Sequence, residues 1–206
     1  METDPKDKKW IVVRIDGRIA AVSTDYRMLA SITGRLAGKD VCHDEISAVA
    51  VGFDEVWKLR NEVGWDDLML FGTDFQKSVW RKLWELTHTA EPTGNDGHAG
   101  PGPEARLISY SDFADLCRNR AGVRAVAHAI GLNPVSVIIP CHLVIPKESV
   151  DKMSAIRTKA ESTIFKGEDL CLGSILKDES IDFGEYSLGR SLKRWLIDLE
   201  LTGDAS

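Results

Sequence analysis

Hydrophobic positions near the start of the chain form two apolar stretches within residues 10–23, and Asp16-Gly17 separates them. An Asp-Gly pair between such stretches predicts a β-hairpin. Helical spacing follows over residues 26–37, and the apolar residues 46–53 predict another strand. Residues 1–70 are therefore expected to form a small α/β domain.

Helical spacing is clearest in the next part of the chain, where the apolar residues recur at i, i+4, i+8 and i+11: Phe75, Val79, Leu83 and Leu86. This spacing predicts an amphipathic helix whose apolar stripe packs inward. Residues 87–106 are rich in Gly, Pro, Asn, Asp and Thr, a composition that predicts a loop.

Two short helices are expected after this loop. Ser109 is a typical N-cap for a helix over about residues 111–118, with Asp112 near its positive end. Gly122 precedes a second helix, which spans about residues 123–131 and ends at a glycine. Two short helices joined by a brief turn predict a helix-turn-helix.

Composition places the chain among soluble globular proteins. It has 206 residues, of which 43% are hydrophobic and 28% are charged, and this length suits one large domain or two small ones. No apolar run approaches the roughly 20 residues that a membrane helix needs, and the polar start does not resemble a secretory signal. The four cysteines lack short paired spacing, as in proteins of a reducing cytoplasm. We therefore expect a cytoplasmic protein (nucleoid-associated in a bacterium) that is a monomer and binds no membrane.

The charge distribution bears on nucleic-acid binding. A net charge of −6 argues against it, because neutralising phosphates favours basic proteins. Local charge matters more, and residues 106–124 hold four arginines against two aspartates, a net of two positive charges. An ordinary solvated helix surface would show the same pattern.

The candidate chemistry lies at Cys141-His142. Residues 135–139, apolar except for Ser136, stand between two prolines and predict a short buried strand that ends just before this pair. A neighbouring imidazole can lower the pKa of a thiol or take its proton through a water, and either effect yields a nucleophilic thiolate. The alternative is a buried structural cysteine next to an incidental histidine.

The residues around this pair resemble a known active site. Pro140-Cys141-His142-x-Val144, preceded by Asn133-Pro134, is similar to the signature of the O6-alkylguanine-DNA alkyltransferases. Those proteins move an alkyl group from guanine in DNA to their own cysteine. Further similar segments follow the family's order and are residues 71–83, 108–114, 123–127, 186–189 and 193–196.

The resemblance implies a fold. We expect an α/β amino-terminal domain over residues 1–70 and a mostly α carboxy-terminal domain over residues 71–206, the latter with a helix-turn-helix of winged-helix type. Two stretches are longer than the family's usual links and are interpreted as insertions, at about residues 87–106 and 147–184. Within the second insertion, residues 153–160 are expected to be helical.

The resemblance also implies a reaction, which is direct-reversal DNA repair. After base flipping, the alkyl group of O6-alkylguanine, or of O4-alkylthymine, would pass irreversibly to Cys141. The protein would be a single-turnover, self-inactivating methyltransferase. It would bind double-stranded DNA through the minor groove and would need neither a cofactor nor a metal.

Individual residues receive roles by the same resemblance. Cys141 is the expected nucleophile and His142 its base. Arg124 would fill the space that the flipped base leaves, and Tyr110 would press on the phosphate of that nucleotide and bind the base. The remaining expected positions contact DNA (Ser109, Ala125, Ala127), line the substrate pocket (Val144, Tyr186, Ser187) or hold the turn between the two motifs (Asn133). The structural alternatives are a surface arginine, a core tyrosine and alanines that allow close helix packing.

Two positions depart from the family's pattern. Leu143 stands where the family has arginine, and Arg194 stands where the resemblance places a glutamate that orients the histidine. An arginine cannot accept the histidine's hydrogen bond and disfavours the imidazolium. The alternative function is therefore a non-catalytic sensor or binder of alkylated DNA, unless a nearby carboxylate substitutes; the candidates are Glu185, Asp198 and Glu200.

A cysteine hydrolase belongs to a third class of function. It would want a histidine distant in sequence with an Asn or Asp partner. Here the histidine adjoins the cysteine and no hydrolase signature surrounds the pair, so this function is disfavoured.

Overall fold

The structure, a computed structural model, describes residues 5–27, 45–88, 107–162, 178 and 180–202, with residues 157–162 described as backbone alone. The chain divides into two compact units, Met1–Thr89 with Arg124–Cys141 and Ala90–Val123 with His142–Ser206. The domain boundary expected at residue 70 stays a prediction. Most of the helix expected over residues 26–37 and most of the loop expected over residues 87–106 lie outside the described residues.

The first unit contains a three-stranded antiparallel sheet. Its strands are β1 (Trp10–Ile15), β2 (Arg18–Ser23) and β3 (Ile46–Val51), in the order β2-β1-β3. The hairpin predicted at Asp16-Gly17 is confirmed, and both residues have positive φ, 49° and 77°, as a type I′ turn requires. The strand predicted over residues 46–53 is confirmed as β3. The wholly buried apolar side chains of the hairpin are Trp10, Ile15, Ile19, Ala20, Ala21 and Val22.

Helix α1 (Phe53–Glu62) precedes the predicted amphipathic helix, which is confirmed as α2 (Asp74–His88). Thr73 starts α2 with a reciprocal pair of hydrogen bonds. Its Oγ1 accepts from the backbone N–H of Gln76 (3.2 Å), and Oε1 of Gln76 accepts from the backbone N–H of Thr73 (2.9 Å). This capping box satisfies two donors that the first turn would otherwise leave without partners.

The prediction that Phe75 lies on the buried face of α2 is wrong. Val79 and Leu83 are buried as predicted, but Phe75 is 39% exposed. Trp80 is buried instead, and its indole Nε1 donates to the backbone oxygen of Ala129 (2.8 Å). Because Trp80 packs inward, the buried face of the helix is rotated toward it, which leaves Phe75 at the edge.

The strand predicted over residues 135–139 is wrong, because these residues form a turn. Val135 makes a single bridge with Val22, and the backbone N–H of Ile139 then donates back to the oxygen of Val135 (3.0 Å). Val137 lies between them with a φ of 74°, which a β-branched residue rarely adopts. Since the whole stretch is buried, its apolar run reflects burial, which periodicity alone cannot tell from a strand.

Two helices predicted near the middle of the chain are confirmed as α3 (Tyr110–Leu116) and α4 (Val123–Gly131). Ser109 is the N-cap of α3, as expected, and its Oγ accepts from the backbone N–H of Asp112 (3.1 Å). The link to α4 is longer than a simple turn and contains a 3-10 turn at Arg120–Gly122.

The remaining elements of the second unit surround an apolar cluster. Strand β4 (Ile108–Ser109) pairs in parallel with β5 (Val144–Ile145). Helix α5 (Lys147–Ser162) extends the helix expected in the second insertion in both directions, and α6 (Arg190–Thr202) follows. The buried cluster consists of Ile145, Met153, Ile181, Phe183, Ile197 and Leu201. Among the residues that the structure describes, no helix has the length and hydropathy to cross a bilayer.

Candidate active site

Cys141 is the last residue of the first unit, and its side chain is 4% exposed. The side-chain nitrogen of Asn133 donates to its Sγ (3.1 Å) and to the backbone oxygen of Ile139 (2.8 Å). Oδ1 of Asn133 accepts from the backbone N–H of Val135 (3.0 Å). An N–H directed at sulfur favours the thiolate over the thiol, and Asn133 makes this contact while its side chain also holds the turn.

His142 follows in the chain and belongs to the second unit, where it is fully buried. Its Nε2 lies 2.9 Å from Oε1 of Glu200, which is also buried. The carboxylate accepts a hydrogen bond from Nε2–H, and this contact orients the ring and stabilises the imidazolium when it forms. Two buried ionisable groups at this distance have the geometry of a base and its orienting partner.

Of the three carboxylates left open as substitutes at the Arg194 departure, Glu200 is the partner of His142. Positions 194 and 200 lie on different faces of α6, and the guanidinium of Arg194 instead donates to the backbone oxygen of Ile181 (2.9 Å) and lies over the ring of Phe183. The other departure, Leu143, is fully buried beside His142 in the chain.

The other two candidate carboxylates are engaged elsewhere. Glu185 pairs with Arg190, and the hydrogen bond from that guanidinium lowers the pKa of the Glu185 carboxyl. Burial raises the pKa of the Asp198 carboxyl. Asp198 lines a cavity of about 690 Å³ beside α6. Of the described residues, those expected in the substrate pocket do not line this cavity.

The expected pocket residues of the second unit are linked by a lysine to which the sequence assigned no role. Lys193 is 1% exposed, and its Nζ donates to the backbone oxygen of Val144 (2.8 Å) and lies 5.7 Å from the ring centroid of Tyr110. Its position within the matching segment 193–196 was the only sequence signal, since lysines are usually exposed. Tyr186 is half-buried and Ser187 exposed, in a turn closed by a hydrogen bond from Gly189 N to Tyr186 O (3.0 Å).

The residues expected to contact DNA divide by exposure. On α4, Arg124 and Ala125 are exposed and Ala127 is half-buried. Ser109 is fully buried, and its hydroxyl donates to Oδ2 of Asp112 (2.6 Å). Its hydroxyl is therefore directed at its own helix.

Among the described residues, no three His, Cys, Asp or Glu side chains are grouped so that they could hold a metal ion.

Comparison with known proteins shows that part of the chain is similar to one family. The family model described as "6-O-methylguanine DNA methyltransferase, DNA binding domain" matches residues 103–163. A probable methylated-DNA–protein-cysteine methyltransferase of Acanthamoeba polyphaga mimivirus is 40% identical over 83 residues, which are 40% of this chain and 45% of that protein. The inducible methylated-DNA–protein-cysteine methyltransferase of Bacillus subtilis is 41% identical over 76 residues, 37% of this chain and 34% of that protein. The chain thus spans less than half the length of these curated relatives.

A solved structure supports the fold alone. The O6-methylguanine-DNA methyltransferase of the hyperthermophilic archaeon Pyrococcus kodakaraensis matches with a TM-score of 0.50 at 20% sequence identity. The match covers 97% of this chain and 95% of that one. A match over nearly the whole chain agrees with a fold that has a small sheet near the amino terminus followed by mainly helical structure.

Proposed function

We propose that the chain is a member of the O6-alkylguanine-DNA alkyltransferase family and repairs alkylated DNA by direct reversal, as its similarity to methylated-DNA–protein-cysteine methyltransferases supports. The alkyl group of O6-alkylguanine, or of O4-alkylthymine, passes to Cys141, which ends as an S-alkylcysteine. The observation that carries the proposal is the buried ion-pair geometry of His142 and Glu200, 2.9 Å apart, on the residue next to the cysteine. This arrangement supplies the base that a buried thiol needs.

The reaction is an in-line displacement at carbon. The proton of Cys141 passes through a water to His142, and Glu200 stabilises the resulting imidazolium. The thiolate forms a bond to the alkyl carbon while the bond from that carbon to O6 breaks, and the electron pair goes to the guanine. Protonation of the guanine ring then restores the neutral base. A soft thiolate suits this reaction without a metal.

The target atom is hidden in stacked duplex DNA, so the nucleotide must be turned out of the helix. We assign α3 and α4 to a helix-turn-helix that binds the minor groove, where backbone contacts and DNA shape outweigh base identity. Arg124 is exposed at the start of α4 and would fill the space left in the base stack. Ala125, also exposed, allows the helix to approach the groove closely.

The flipped base would lie among residues of the second unit. Tyr110 contacts the base, and the backbone oxygen of Val144 accepts from its amino group through the lone pair that Lys193 does not use. Tyr186 and Ser187 donate to O6 of the base as the bond from O6 to the alkyl carbon breaks. These roles are carried over from the family's motif positions.

The alternative of a non-catalytic sensor loses its main support. It rested on a missing carboxylate partner for His142, and Glu200 provides that partner. Of the two departures from the family's pattern, the apolar Leu143 alone still distinguishes this site.

Intact-protein mass spectrometry tests the proposal directly. The protein is incubated with duplex DNA that contains a single O6-methylguanine, and we expect a mass gain of one methyl group per chain, on Cys141. Cys141→Ala should remove the transfer and keep the binding of duplex DNA, whereas Cys117→Ala, at a half-buried thiol, should transfer normally. No mass gain, or a methyl group on another residue, would refute the proposal.

A further inference from the structure

The segment that leads into Tyr186 and Ser187 is held in an unusual way. Residues 180–184 form no strand, so no ladder of backbone hydrogen bonds supports them. Their carbonyl groups instead accept from side chains. A buried backbone oxygen without a partner is costly, so the side chains that supply these hydrogen bonds set the position of the segment.

Helix α5 supplies two of these donors. Oγ of Ser149 donates to the backbone oxygen of Asp182 (2.5 Å), and Nζ of Lys152 donates to the backbone oxygen of Ser180 (2.9 Å). Ser149 is 3% exposed, whereas Lys152 is on the surface. The two contacts hold alternate residues of the segment from the same helix face.

Helix α6 holds the segment from its own side. Arg194 donates to the backbone oxygen of Ile181 (2.9 Å), and its guanidinium lies 4.8 Å from the ring centroid of Phe183. Ile181 and Phe183 are 1% and 4% exposed, packed in the apolar cluster with Met153 of α5. The segment is therefore clamped between two helices.

The segment ends at Gly184, and a second glycine, Gly189, follows the turn. Gly184 has a φ of 81° and Gly189 a φ of 102°, values open to glycine and rare for other residues. Tyr186 and Ser187 lie between them. Their positions consequently depend on how firmly the residues before Gly184 are held.

Helix α5 also adjoins the other side of the expected pocket. It begins one residue after β5, the strand that contains Val144. Helix α5 thus links Val144 to the segment that leads into Tyr186 and Ser187.

We infer that helix α5 determines which alkyl groups the pocket accepts, with Ser149 and Lys152 as positioning residues for the Tyr186-Ser187 turn. This inference rests on the proposed function. A firmly held turn leaves room for a small alkyl group and excludes bulky ones. Loss of the side chains that hold the segment would displace Tyr186 and Ser187 from O6 of the base. A displacement of about 1 Å can lower a reaction rate 100-fold.

The test compares the double variant Ser149→Ala/Lys152→Met with the intact protein. Single-turnover rates are measured on duplexes that contain O6-methylguanine or O6-benzylguanine. We expect the methyl rate to fall about 10-fold and the benzyl rate much less, so that the benzyl-to-methyl ratio rises about fivefold. The rate of Cys141 alkylation by iodoacetamide, which needs no base pocket, should stay unchanged.

Matched variants separate positioning from simple loss of structure. Lys147→Met removes another lysine of α5, one that is exposed and pairs with Asp151 (3.9 Å), and should leave the ratio unchanged. Lys152→Arg, which keeps a donor and the charge, should behave as the intact protein. If the double variant fails to fold, Lys152→Met alone should raise the ratio, because this side chain is on the surface.

The outcomes distinguish the inference from the function beneath it. An unchanged ratio in the variants would refute the role of α5 while leaving the repair function in place. An equal loss of methyl transfer, benzyl transfer and iodoacetamide reaction would show a structural role alone and also refute it. Absence of any transfer by the intact protein would overturn the proposed function, and the inference with it.

Discussion

The carboxylate of Glu200 lies 2.9 Å from Nε2 of His142, and both side chains are buried. The two residues are 58 positions apart in the chain. Their contact supplies the orienting partner that the local sequence around His142 lacks, and it makes the imidazole a better proton acceptor. The predictions on activity start from this pair.

Replacement of Glu200 by glutamine should slow alkyl transfer by about 10- to 100-fold, the usual effect of losing a partner that orients a histidine. The amide keeps the shape of the side chain but does not stabilise the imidazolium. The thiolate then forms less readily, so the pH–rate profile should move to higher pH. Single-turnover rates between pH 6 and pH 9 measure both effects. Asp198→Asn is the control on the same helix and should transfer normally; a Glu200→Gln rate equal to that of the intact protein would contradict the prediction.

Asn133→Ala should lower the free energy of unfolding by about 2–3 kcal/mol, because it removes three buried hydrogen bonds and takes the side-chain acceptor away from the backbone N–H of Val135. Urea unfolding measures the change. The contribution of the contact with sulfur can be isolated by repeating the substitution in a Cys141→Ala background. There the cost should fall by about 0.5–1 kcal/mol. Equal costs in both backgrounds would show that the contact with sulfur contributes nothing.

Gly72→Ala should destabilise the first unit by about 1–3 kcal/mol, the cost of overpacking. The added Cβ would lie 2.7 Å from a ring carbon of Trp80, and this buried ring cannot move aside. Gly131→Ala is the matched control, since its Cβ would meet nothing within 4 Å. At that helical position alanine should stabilise the protein by about 0.5–1 kcal/mol. Denaturant unfolding compares the two, and similar values would argue against the close contact with Trp80.

Asp198→Asn should stabilise the protein at neutral pH. Burial raises the pKa of this carboxyl above its usual 3.8, so the folded state holds the proton more tightly than the unfolded chain does. The resulting stability is present below the unfolded-state pKa and is lost as pH rises through the raised folded-state value. At pH 7 the neutral amide should therefore raise the free energy of unfolding, by up to about 0.5 kcal/mol because the group is largely solvated. The gain should vanish at pH 3.

Asp178→Asn provides a control of opposite sign for that experiment. The pKa of Asp178 is lowered, first by the side-chain hydrogen bond from Ser180 and also by the charges of Lys152 and Arg194. Its contribution is present above the unfolded-state pKa and is lost as pH falls through the lowered folded-state value. The asparagine variant should thus be less stable than the intact protein at pH 7 and equal to it at pH 3. The same direction of change for Asp178→Asn and Asp198→Asn would contradict both assignments.

Much of the local structure was predictable from the sequence because its causes span only a few residues. The Asp16-Gly17 turn, the cap of α3 at Ser109 and the helix that became α2 each depend on neighbours within one or two turns of the chain. The motif around Cys141 likewise carried the resemblance to the family. Backbone preference, capping and periodicity are properties of residues that are close in the sequence, so the sequence alone predicts them.

Tertiary structure alone decided the partner of His142, the burial of Lys193 and the conformation of residues 135–139. In the sequence, three carboxylates were possible partners of the histidine, and Arg194 stood where the carboxylate was expected. The sequence alone does not show which face of α6 turns inward. The buried Lys193 looks like any surface lysine in the sequence, and the turn at Val137 looks like a strand. Each of these outcomes depends on contacts between residues that are distant in the sequence, and the packing of the elements sets those contacts. Burial of apolar surface is favourable in any backbone conformation, so an apolar run does not specify a strand.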